Sequence, residues 1–79
     1  MYQKHLKAIE GILAGEWDTP HQLVQDLNDL TACHIHAILH KIEGDKWNSE
    51  YWYRRAVVKV DFEKDAMEEV KELKLKLEK

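Results

Sequence analysis

Apolar side chains near the start of the chain recur at helical spacing. Leu6, Ile9, Ile12 and Leu13 stand three and four apart, which predicts an amphipathic helix over residues 2–14. Gly11 weakens that helix by about 1 kcal/mol relative to alanine. Gly15 suits the left-handed position that ends it. A second helix is expected from Pro20, with Thr19 as N-cap, Gln22 closing a capping box and Trp17 as a hydrophobic staple near Val24. Leu23, Val24 and Leu27 face inward on it. Asn28-Asp29 is a pair of poor helix formers, so a break falls there, and a third helix is predicted over Leu30–Glu43.

Gly44 then reads as a C-cap and Asp45 as the N-cap of a fourth helix running from Lys46 to about Ala56. Val57, Val58 and Val60 favour extended backbone, a linker or a fraying end. From Asp61 a last helix is expected, its narrow stripe formed by Phe62, Ala66, Val70, Leu73 and Leu77. The stripe serves either to cover the preceding hairpin or to pair with a second copy in a homodimer. The expectation is an all-α fold: a single small domain of four to five short helices, with helices three and four as an antiparallel hairpin. Residues 1–60 form the main helical part, with the hairpin at 30–56, and residues 61–79 form the C-terminal amphipathic helix. The Glu43-Gly44-Asp45 turn and the aromatic helix after it echo the packing unit of tetratricopeptide-like repeats, although one hairpin excludes a solenoid.

Composition narrows the classes of function. One proline and three glycines leave little loop chemistry, which agrees with helices joined by short turns. A net charge of −3 gives no basic footprint for nucleic acid or an anionic membrane, and no apolar run is long enough to span one. A lone Cys33 forms no internal disulfide, which fits a cytoplasmic protein.

Chemistry concentrates between residues 33 and 55, which hold three of the five histidines, two of the three tryptophans and both arginines. On a helical wheel, Ala32, Ile35, Ile38, Leu39 and Ile42 form one apolar face of the third helix, and His34 and Lys41 point away from it. Cys33, His36, His40 and Glu43 occupy a separate strip beside that face. His36 and His40, one turn apart, can reach one divalent metal, with Glu43 as an oxygen ligand or His21 as a third nitrogen. Ala37 stands where a zinc protease needs glutamate, so that class is not supported. On the fourth helix, Asn48, Trp52 and Arg55 share a face, Trp47, Tyr51, Arg54 and Arg55 share its flank, and arginine beside tryptophan suits an anion.

Three readings stay open at this point. The histidines lock the fold by bonding Asn48, Tyr51 or an arginine, with the arginines paired to Glu43, Asp45 or Glu50. Alternatively His21, His36, His40, Asn48, Tyr51, Trp52, Arg54 and Arg55 form a pocket for a small polar or anionic ligand or a protein segment. In the third, His21, His36, His40 and Glu43 serve a metal-dependent or acid–base enzyme whose catalytic residue is not identified.

The stretch His36-Ala37-x-x-His40-x-x-Glu43-Gly44-Asp45-x-x-Asn48-x-x-Tyr51-Trp52-Tyr53-Arg54-Arg55-Ala56 resembles a family of small uncharacterised bacterial and fungal helical proteins. Trp17-Asp18 with His21, Gln25 and Asp26 resembles the segment that precedes it there. The likeness covers about residues 11 to 56 and implies that His21, Gln25, His36, His40, Glu43, Asp45, Asn48, Tyr51, Trp52, Arg54 and Arg55 act as one unit. No activity comes with it. Two positions depart from the family pattern: Ser49 replaces its alanine and Val57 its glycine, the latter implying a different path for the C-terminal third.

Overall fold

The computed structural model describes residues 1–79 as five helices: α1 (Gln3–Leu13), α2 (Asp18–Val24), α3 (Leu30–Ile42), α4 (Lys46–Ala56) and α5 (Ala66–Leu77). The interruption at Asn28-Asp29 falls where its composition places it, and Asp29 caps α3 by accepting the Ala32 N–H at 3.1 Å. Asp45 caps α4 in the same way, from the Asn48 N–H at 3.2 Å. Gly44 takes a left-handed φ of 83° in the tight turn between α3 and α4.

Two starts differ from expectation. Helix α2 begins at Asp18, before Thr19 and Pro20, and its N-cap Trp17 makes no side-chain cap bond. Instead of stapling, the Trp17 indole N–H donates to the Leu39 carbonyl at 2.8 Å, so a contact to α3 sets the entry of α2. Helix α5 begins at Ala66, where Asp65 accepts the Glu68 N–H, so Phe62 lies before the helix and outside its stripe. Between α4 and α5, Val57 adopts a left-handed φ of 57°, a conformation for which glycine is the ordinary solution, and residues 58–60 have no regular structure.

Helix α3 is central and packs against the other four. Contacts between α3 and α4 run in opposite order along the two helices: Ser49 bonds the Ala37 carbonyl at 2.7 Å, His36 stacks on Trp52, and His34 meets Tyr53. The hairpin is therefore antiparallel. A Cβ on Gly11 would lie 2.9 Å from the Pro20 ring, so this glycine is what lets α2 approach α1. The buried face of α1 is His5, Ala8, Ile9 and Ile12, with Leu6 and Leu13 half-buried at its edges.

One core joins Ile9, Ile12, Val24, Ile35, Ile38, Leu39, Tyr53, Val70 and Leu73 from all five helices. The stripe of α5 is covered within the chain, and residues 61–79 complete the same core as residues 1–60. Ile42, assigned to the inner face of α3, is exposed at the hairpin end. No helix is long and apolar enough to cross a membrane.

Candidate metal centre

A helix surrounded by four others has no solvent face along its middle. Every polar side chain on α3 must therefore find a partner inside the fold. It carries such groups on two sides, and they are treated differently.

On the side facing α2, the fold brings three imidazoles together. His21 projects from the last turn of α2 and meets His36, the two Nε2 atoms lying 3.0 Å apart. His40, one turn beyond His36, completes the group: one ring nitrogen of each of the three histidines lies within 4.8 Å of the others. Since His40 Nδ1 already pairs with Glu43 at 2.5 Å, Nε2 is the atom left to face the cluster. Two tryptophans hold the rings in place. Trp17 stacks on His21 with centroids 4.7 Å apart, and Trp52 stacks on His36 at 3.8 Å with an interplanar angle of 11°.

Burial keeps the rings of His21 and His36 neutral. Burial, reinforced by His21, His40 and Arg55, lowers the His36 pKa to about 4. Burial and then His40 lower that of His21, against weaker opposing effects of Glu43 and Asp18. Neutral imidazole is the form that ligates a metal. His36 Nδ1 is buried and has no hydrogen-bond partner.

The partners expected to lock the histidines are elsewhere. Asn48 donates its side-chain N–H to Asp45 at 2.6 Å as part of the α4 cap. The Tyr51 hydroxyl lies 3.4 Å from Arg55, and Tyr51 is 39% exposed. Neither Arg54 nor Arg55 pairs with Glu43, Asp45, Glu50 or any other acid. Arg55 instead lies over Trp52, 4.9 Å from its centroid. Cys33 is buried but stands outside the histidine cluster, its thiol pKa raised by burial. Gln25 is exposed. The structure thus gathers His21, His36, His40 and Glu43 with Trp17 and Trp52, and forms no hydrogen bond from Asn48, Tyr51, Arg54 or Arg55 to these imidazoles.

On the opposite side, sequence reasoning missed a second cluster. His34 and Lys41, expected to point outward, converge on Glu69 of α5 at 2.9 and 2.8 Å, and the Tyr53 hydroxyl donates to the same carboxylate at 2.7 Å. The wheel shows that His34 and Lys41 share a side. Only the docking of α5 turns that side inward. Burial works to raise the Glu69 carboxyl, but the bonds from His34, Lys41 and Tyr53 outweigh it and hold its pKa at about 2. The Tyr53 hydroxyl is pushed strongly upward, by burial and then by its bond to Glu69.

Two cavities occur in the molecule, and neither borders the three histidines. One of about 280 Å³ lies beside His34, Lys64 and Glu69, and one of about 490 Å³ beside Tyr2, His5 and Asp29. No protein-family model, curated protein or solved structure matches the chain.

Proposed function

We propose that the chain binds one divalent transition metal ion, zinc being the best match, through Nε2 of His21, His36 and His40. The observation that carries this reading is the convergence of three imidazole nitrogens from α2 and α3 within 4.8 Å, with no other part of the protein occupying them. Two nitrogens about 2.0–2.1 Å from a tetrahedral metal stand about 3.3 Å apart. The 3.0 Å between His21 and His36 needs only a small opening of side chains to reach that spacing. An all-nitrogen donor set without thiolate suits zinc, nickel or copper better than magnesium or calcium.

Glu43 acts one step further out. Its bond to His40 Nδ1 fixes the ring orientation and raises the basicity of the ligating nitrogen, the usual partnership of carboxylate and metal-bound histidine. Trp17 and Trp52 keep His21 and His36 in register. Three protein ligands leave one coordination position, where zinc would lower the pKa of a water toward about 7. With no cavity beside the cluster, that position suits water or a small anion and not an extended substrate.

Elemental analysis of purified protein, with thermal denaturation at increasing zinc, tests the proposal. At a free concentration about a hundredfold over Kd, the midpoint is expected to rise by roughly 10–20 °C. His21→Ala and His40→Ala are expected to abolish the rise. Absence of bound metal together with no shift from zinc, nickel or copper would overturn it.

A further inference from the structure

The outer face of α4 has a chemistry that the metal centre does not use. Trp47 is 74% exposed, whereas Trp17 and Trp52 are half-buried against the histidines. Tyr51 follows one turn later, and Arg54 and Arg55 close the helix. Both arginines are exposed and neither pairs with an acid. Arg55 is held between two rings, 4.9 Å from Trp52 and 5.8 Å from Tyr51, so its planar fork is already oriented. Helix α4 carries Lys46, Arg54 and Arg55 against the single acid Glu50, on a chain whose net charge is −3. The face is a basic, aromatic patch on an acidic protein.

Exposed tryptophan, tyrosine and arginine are the side chains that dominate binding energy at protein interfaces. An unpaired guanidinium recognises carboxylates through two parallel hydrogen bonds. We propose that the face formed by Trp47, Tyr51, Arg54 and Arg55 docks an acidic segment of a partner protein. Charge complementarity fixes the sign of that partner. Its spacing follows from the helix: Trp47 and Arg54 lie two turns apart, about 10 Å along the axis. An extended segment covers that distance in about three residues. The partner therefore places its carboxylates about three residues from an apolar side chain that covers Trp47.

A short fluorescent peptide combining glutamates and leucine at that spacing is the probe, titrated with the full chain by anisotropy. Saturable binding at low salt that weakens as salt rises is expected. Trp47→Ala and Arg54→Glu should each weaken it by roughly tenfold, with unchanged circular dichroism showing that both variants fold. No saturable binding at low salt, or binding by both variants as tight as by the native chain, would overturn the proposal. So would a concentration-dependent dimer that Trp47→Ala dissociates, because a second copy then owns the face. Tighter binding of a single-stranded oligonucleotide than of the peptide would overturn it too.

Discussion

Helix α3 holds polar groups on two sides, and the two sides are resolved in opposite ways. Toward α5, His34, Lys41 and Tyr53 surround Glu69, and the carboxylate accepts from all three. Toward α2, His36 faces two further imidazoles, keeps one nitrogen without a partner and is held neutral. The first arrangement is complete as it stands. The second has one imidazole–imidazole bond, between His21 and His36 at 3.0 Å, and leaves His36 Nδ1 without a partner. A fold gains from a satisfied buried network, and gains little from three imidazoles pressed on one another. On the proposed reading, the difference separates a polar group that fastens the structure from one that holds a ligand.

The largest test of the contrast is Glu69→Gln. It leaves Lys41, whose side chain is 7% exposed, without its counter-charge, and breaking a buried pair costs about 3–5 kcal/mol. Urea denaturation should show that loss.

Acid probes the same cluster. The Glu69 carboxyl titrates at about 2 in the folded protein against an ordinary value of 4.5. A depressed folded pKa means stability that is present above pH 4.5 and lost as the pH falls toward 2. The gap in denaturation midpoint between the native chain and Glu69→Gln should therefore narrow across that window.

Ser49→Ala gives a smaller effect of the same kind. It removes the buried hydroxyl that donates to the Ala37 carbonyl at 2.7 Å, for a loss of about 1 kcal/mol in urea denaturation.

At the other cluster the expectation reverses. His36→Phe keeps a ring against Trp52, and removing the unpartnered Nδ1 offsets the lost bond to His21, so the metal-free protein should change by less than about 1 kcal/mol. A loss as large as that of Glu69→Gln would place both clusters in the fastening class.

Helix count, both breaks around α3 and the antiparallel hairpin were legible because they rest on local chemistry. Asn28-Asp29, Gly44 and Asp45 act within a few residues of themselves. The grouping of His36 with His40 was legible from phase alone, and His21 could be named as a third member of the group because α2 is short and adjacent. What could not be read required knowing which helix covers which side of α3. His34 and Lys41 look solvent-facing until α5 docks. The start of α2 was misplaced because the Trp17 bond to Leu39 outweighs the local capping signal of Thr19 and Gln22. Gly11 looked like a weakness in α1, and its close approach to Pro20 gives it a packing reason.

Cobalt(II) added to the metal-free protein tests the central claim most directly, since its visible spectrum reports both binding and geometry. The account predicts one equivalent per chain, with the intense absorption of a four-coordinate nitrogen site that is lost in His21→Ala and His36→Phe and retained in Glu69→Gln. A spectrum unchanged from aqueous cobalt, or one that survives both histidine substitutions, would contradict it.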